Sequence, residues 1–159
     1  MNKALFLDRD GVINHDPGDY TTSPADFELL PGIIPFLQEA TAKGYLLVVV
    51  TNQAGISKGL YDLETYAAIE LKMKNLFAEA GVHFAEIYFC SHHPDQGKCL
   101  CRKPGALFFE KAVARFNIDT QQSLMVGDRE RDIAAAAAVG IRGVLVPVNS
   151  SANSWGIGL

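Results

Sequence analysis

Asp8 and Asp10 stand two residues apart and are followed at once by Gly11. In an extended segment, side chains at i and i+2 point to the same side. Two carboxylates facing one site repel each other unless a cation joins them or one is protonated. Asp128, which also follows a short apolar run, could bring a third oxygen to that place. Oxygen-only ligation with room for water suits Mg²⁺. Taken alone, Asp-x-Asp-Gly is equally a turn or helix-cap sequence. Arg102 and Lys103 supply cations that could offset the carboxylates and hold phosphate. Thr51 offers a hydroxyl at the end of another apolar run.

A second constellation lies between Cys90 and Cys101. It reads Cys-x-His, a short loop, then Cys-x-Cys. Three thiolates and one imidazole form a closed tetrahedral Zn²⁺ set. Cys90, His92, Cys99 and Cys101 are the expected ligands, with His93 an alternative ligand or a loop side chain. Four protein ligands leave no open position for substrate, so this zinc would be structural. Free thiols in a loop are the plain alternative. All three cysteines fall in this stretch and cannot all pair as disulfides. His15 and His83 have no comparable company.

These residues need elements to position them. Apolar runs at 4–7, 46–50, 87–89, 124–126 and 144–146 read as strands buried on both faces. Helical patterns fill 33–43, 63–80, 106–116 and 132–139, three of them stopping at Gly44, Gly81 and Gly140. Alternation at this spacing predicts parallel βαβ units in a doubly wound α/β fold. Ligands in such folds gather at the carboxyl ends of the strands. Asp8–Gly11, Thr51–Gln53, Cys90–His93 and Gly127–Arg129 each follow a strand, so all would lie along one sheet edge. The stretch 149–159 reads as irregular.

Composition limits the partners. The chain has 159 residues, 48% apolar and 20% charged, as expected of one globular domain spanning 1–159. Its formal charge of −4 argues against nucleic acid, which needs clustered Lys and Arg. A small anion in a local pocket remains compatible. No run approaches the ~18 apolar residues of a membrane span, and 4–7 is too short for a signal-peptide core. A soluble, cytoplasmic monomer is expected, with no membrane partner.

Four segments in order resemble the motifs of the haloacid dehalogenase (HAD) superfamily: Asp8-Arg9-Asp10-Gly11-Val12, Thr51-Asn52-Gln53, Arg102-Lys103-Pro104 and Gly127-Asp128-Arg129-Glu130-Arg131-Asp132. The resemblance spans nearly the whole chain. The Cys-x-His…Cys-x-Cys-Arg-Lys-Pro segment is similar to the zinc-loop subgroup. That subgroup holds the D-glycero-D-manno-heptose 1,7-bisphosphate and histidinol-phosphate phosphatases.

The resemblance implies a mechanism. Asp8 would attack phosphorus and form an aspartyl-phosphate. Asp10 would protonate the leaving oxygen, then activate water. Mg²⁺ would be held by the Asp8 carboxylate, the Asp10 backbone carbonyl and Asp128, with Asp132 orienting that end of the site. Thr51 and Lys103 would hold phosphoryl oxygens in the transition state. Arg102, Asp16, Asp19, Asn52, Gln53 and Ala54 align with segments that contact substrate. No insert is large enough for a separate cap domain, so the site should be open.

Some features divide the subgroup. The short zinc loop and Arg129 lean towards histidinol phosphate. The run Thr51–Gly59 and Cys90-Ser91-His92-His93-Pro94 lean towards the heptose bisphosphate, which is the preferred substrate expectation. Histidinol phosphate is the alternative. A zinc-stabilised binding module without catalysis would lack part of the charged set, and Asp8, Asp10, Lys103 and Asp128 are all present. Transfer of phosphate to an acceptor other than water is also compatible with an open site.

Overall fold

A computed structural model describes residues 1–159. Five strands, β1 (Lys3–Leu7), β2 (Tyr45–Asn52), β3 (Glu86–Cys90), β4 (Leu124–Gly127) and β5 (Arg142–Leu145), form one sheet in the order β3-β2-β1-β4-β5. Every pairing is parallel. Between them run α1 (Ile33–Ala42), α2 (Leu63–Ala78), α3 (Leu107–Phe116) and α4 (Glu130–Ala137). The doubly wound α/β architecture is as expected.

The strand period of two explains why both faces are covered. Leu5 and Leu7 of β1 and Leu47 and Val49 of β2 pack with Ile33 and Leu37 of α1 and Ile69, Met73 and Phe77 of α2. The alternate residues Ala4, Phe6, Val48 and Val50 pack with Phe109 and Ala112 of α3 and Ala135 and Ala136 of α4. An apolar side chain at every position of β1 after Lys3 is therefore required, not incidental.

Caps fix where the helices begin. The Asp62 carboxylate accepts from Thr65 N at 2.7 Å and starts α2. In α4 the Asp132 carboxylate accepts from Arg129 N at 3.1 Å, so the helix opens at Glu130, two residues before the sequence pattern shows it. β5 likewise begins earlier than its apolar run, at Arg142, and ends before Val146.

The stretch 149–159 is more ordered than its composition predicts. A short 3-10 turn covers Ala152–Ser154, and Trp155 packs edge-on against Phe36 of α1 with ring centroids 5.2 Å apart. Ile157 and Leu159 join the same core. From Ala152 onward this tail covers α1 rather than the carboxylate cleft.

The strand order places β1 between β2 and β4. Loops leaving the ends of those three strands therefore meet, although they are far apart in sequence. The strands are joined by single helices and loops, and no separate cap domain intervenes.

Candidate active site

Asp8 follows β1 and Asp128 follows β4, and with Asp132 at the start of α4 their carboxylates converge within 4.8 Å of one another. Lys103 reaches this cluster from a loop 95 residues away in sequence. Its Nζ lies 2.9 Å from Asp8 Oδ1 and 2.7 Å from Asp132 Oδ1, and donates to Val50 O at 2.6 Å. The lysine is 1% exposed. One buried cation thus faces three carboxylates.

That imbalance appears in the acidities. Burial pushes the Asp8 carboxyl well above its ordinary range; Lys103 opposes the shift, and Asp132 and Asp128 add to it. Burial also raises Asp128; the adjoining Asp8 and the Arg129 charge oppose the shift, and Asp132 adds to it. Neither oxygen of Asp128 has a hydrogen-bond partner, though its side chain is only 1% exposed. Arg129 Nε stands 3.8 Å from Oδ2, too far for a hydrogen bond; a buried carboxylate without one is costly, and a divalent cation between Asp8 and Asp128 would satisfy both. Hard oxygen donors in this number fit Mg²⁺. Asp132 is already committed to Lys103 and Arg129 N, so it suits an orienting role better than ligation.

Gly11 makes this approach possible. Its φ is +88°, and a Cβ there would lie 2.4 Å from Asp128 Oδ2. Any side chain would collide with that carboxylate while also straining the backbone.

Asp10 points to a different set of partners. Arg9 Nε and Nη2 donate to its carboxylate at 3.0–3.2 Å, Asn14 Nδ2 donates at 2.9 Å and Gln53 Nε2 at 2.8 Å. Its side chain is outside the Asp8–Asp128–Asp132 cluster. The two aspartates of the Asp-x-Asp pair therefore occupy chemically distinct positions. One sits against a lysine and carboxylates, the other in a cradle of N–H donors.

The residues expected at the substrate divide into two groups. Asp16, Asp19 and Asn52 line the small cleft above Asp8, Asp10 and Asp128, together with Tyr20, Arg129 and Arg131. The other expected contacts lie elsewhere. Gln53 is 0% exposed, and its side chain is spent on Asp10, Thr51 and Tyr61, leaving no free group for a ligand. Ala54 is also buried. Arg102 lines an adjoining cavity with Lys103 and the cysteine loop, and its Nη1 is buried without a partner.

Asn52 has a role that its motif did not reveal. Its Oδ1 accepts from Lys103 N at 3.0 Å and its Nδ2 donates to Lys103 O at 3.3 Å. The end of β2 thus grips the backbone of the loop that carries the lysine. Arg9, Asn14, Tyr61 and Asn149 were also missed. Asn149 brackets the backbone of Asp16, accepting from its N at 2.7 Å and donating to its O at 2.9 Å. A run of acidic and amide residues could have signalled the cleft, but not these pairings.

The cysteine loop closes on itself. Cys101 Sγ lies 3.1 Å from Cys90 Sγ, and Cys90 Sγ lies 3.6 Å from Cys99 Sγ. His92 Nδ1 is 3.4 Å from Cys90 Sγ and 3.3 Å from Cys101 Sγ. These separations approach the edges of a tetrahedron around Zn²⁺ with bonds of about 2.0–2.3 Å. His93 turns away, and its Nδ1 accepts from Asp95 N. Burial raises the Cys90 thiol to about 12; burial acts the same way on Cys99, but backbone N–H groups and neighbouring thiols outweigh it and bring that thiol to about 7. If the four side chains hold Zn²⁺, replacement of Cys99 by Ser should lower the bound metal and reduce the melting temperature, read by elemental analysis and thermal unfolding. Unchanged values of both would remove zinc from this site.

The fold and the cluster at its strand ends define a class. Residues 100–156 match the hydrolase-like family described as HAD-hydrolase-like. Comparison over the whole chain goes further. It is 39% identical over 158 residues to a D-glycero-beta-D-manno-heptose-1,7-bisphosphate 7-phosphatase of Helicobacter pylori, covering 97% of this chain and 90% of that one. It is 42% identical over 146 residues to the enzyme so named from Haemophilus ducreyi, covering 88% and 80%. Among solved structures, D,D-heptose 1,7-bisphosphate phosphatase from B. bronchiseptica, complexed with magnesium and phosphate, superposes with a TM-score of 0.85 at 37% identity, covering 90% of this chain and 79% of that one. The chain belongs to the heptose-1,7-bisphosphate phosphatase family of HAD-like phosphatases.

Proposed function

We propose that this chain hydrolyses the C7 phosphate of D-glycero-D-manno-heptose 1,7-bisphosphate through an aspartyl-phosphate on Asp8. The observation that carries the reading is the buried Asp8 carboxylate beside Lys103 and Asp128, whose oxygens have no hydrogen-bond partner. Its relatives' activity supplies the substrate.

The chain's own residues divide the work. Asp8 Oδ attacks phosphorus, and the ester oxygen leaves with the bonding pair. Asp10 gives that oxygen a proton, then takes one from the water that cleaves the acyl phosphate. Lys103 and Thr51 hold the equatorial oxygens of the transferring group. Mg²⁺, held by Asp8, the Asp10 carbonyl and Asp128, would neutralise charge between nucleophile and substrate. Asp16, Asp19 and Asn52, which line the cleft, would border the departing polyol, with Arg102 on the adjoining rim. Zn²⁺ on Cys90, His92, Cys99 and Cys101 would shape that rim. A single domain over 1–159, acting as a cytoplasmic monomer on a small soluble substrate, completes the proposal.

Phosphate release from heptose 1,7-bisphosphate and histidinol phosphate, at matched concentration with Mg²⁺, tests the assignment. The expected result is a preference for the bisphosphate of about 100-fold or more in kcat/KM, well below the roughly 10⁴–10⁵-fold at which a site that hydrogen-bonds its substrate rejects an analogue lacking the partner. A preference for histidinol phosphate would overturn it. In that case the acidic edge formed by Asp16 and Asp19 would be holding an amine.

A further inference from the structure

Gln53 is the hinge between two groups that the proposed reaction uses. Its single amide nitrogen donates to Asp10 Oδ2 at 2.8 Å and to Thr51 Oγ1 at 2.9 Å. A hydroxyl that accepts at its oxygen must direct its own proton elsewhere. Thr51 is 1% exposed, and its proton is thus left for a phosphoryl oxygen. The same amide holds one oxygen of Asp10. Turned over, the amide would set a carbonyl oxygen against a carboxylate and against Thr51.

Tyr61 holds the other end of this amide. Its hydroxyl donates to Gln53 Oε1. The tyrosine lies past the Gly55–Gly59 turn, and it does not line the carboxylate cleft. Its ring is fixed by packing. A Cβ on Gly55 would lie 2.4 Å from Tyr61 Cε1 and 2.9 Å from Tyr20 Cγ, so glycine allows both rings to close on the turn. Tyr61 is 7% exposed, which leaves little water to replace its hydroxyl.

We propose that Tyr61 is a positioning residue, acting through Gln53 to hold Asp10 and Thr51 in their working orientations. Removing the hydroxyl leaves Gln53 Oε1 buried without a donor. The amide then loses its anchor, and both groups lose the direction it gave them. This inference rests on the phosphomonoesterase reading but not on the identity of the sugar.

The test compares Tyr61→Phe, Gln53→Leu and the double variant, each checked for folding by its melting temperature. Two esters are used: an alkyl phosphate that the wild-type enzyme hydrolyses and p-nitrophenyl phosphate. The first needs a proton on its leaving oxygen; the second has a leaving group that departs as an anion. Tyr61→Phe should lower kcat/KM for the alkyl ester about tenfold, part of the roughly 10²–10⁴-fold that a well-placed general acid contributes. The loss for the aryl ester should be smaller. In the Gln53→Leu background, Tyr61→Phe should change kcat/KM by less than about twofold, because the intermediary is already gone. Independent, multiplicative losses would overturn the proposal, as would equal losses on both esters or a wild-type rate for Tyr61→Phe. Failure of the heptose assignment would show separately, as an absent wild-type preference for the bisphosphate, with the comparison between variants unaffected.

Discussion

Asp8→Asn should lower phosphate release by about 10⁴-fold or more, the scale seen when a covalent nucleophile is removed. The protein should stay folded. Asn is nearly isosteric, and Lys103 keeps its contacts with Asp132 and Val50 O. Burial and the neighbouring Asp132 and Asp128 already hold Asp8 well above its ordinary acidity range, so removing its charge relieves repulsion. The melting temperature of the metal-free variant should be no lower than that of the wild type. Acid-quenched turnover with radiolabelled substrate should trap phosphoprotein in the wild type and none in the variant. Retention of rate or of label would move the nucleophile elsewhere.

Lys103→Met should cost both activity and stability. Methionine keeps the length of the buried stem but leaves Asp8 and Asp132 without their buried cation, with only the exposed Arg129 3.8 Å from Asp128. Removing one partner of a buried ion pair typically costs about 3–5 kcal/mol. Loss of a transition-state donor typically costs about 10²–10³ in rate. The stability loss should depend on pH in a definite direction. Asp8 is already raised by burial, and Lys103 is what opposes that shift. Without Lys103 the folded-state value rises further above the unfolded one. A raised carboxyl binds protons more tightly when folded, so stability falls as pH rises through the folded value. The deficit should therefore be larger at pH 8 than at pH 5, read by urea unfolding of the metal-free protein. An equal deficit at both would mean that packing, not charge, is what the lysine supplies.

The sequence shows most of this frame. β1 and β2 are legible because both faces are buried, which makes the runs 4–7 and 46–50 continuous and apolar. β5 is less so, since Arg142 and Gly143 give no strand signal and the pairing with β4 sets the boundaries. Trp155 could not be placed, because its partner Phe36 is distant in sequence. At the site, Asp8, Lys103 and Asp128 are readable from residue type and order, as is the gathering of Cys90, His92, Cys99 and Cys101. The inward turn of Gln53 and the grip of Asn52 on Lys103 are not. Each depends on which way an amide faces, and a residue letter carries no such direction. Gln53 therefore reads as a substrate contact in the sequence and stands as an internal brace in the fold.

The cysteine loop has a thermodynamic consequence. Between Ser91 and Leu100 no side chain is buried, and Leu100 is 77% exposed. Apart from a single 3-10 turn at Pro94–Gln96, the stretch has no helix or strand. Ordering such a segment costs about 1–2 kcal/mol of conformational entropy per residue, and there is no apolar burial here to offset it. Coordination at Cys90, His92, Cys99 and Cys101 would instead supply binding free energy that only the folded loop can collect, because the unfolded chain offers no preformed site. Lys103 stands two residues beyond Cys101. The precision with which its ammonium meets Asp8 would then draw on a cross-link as well as on the grip of Asn52, and a metal on thiolates would help order a site whose own metal ligands are hard oxygens.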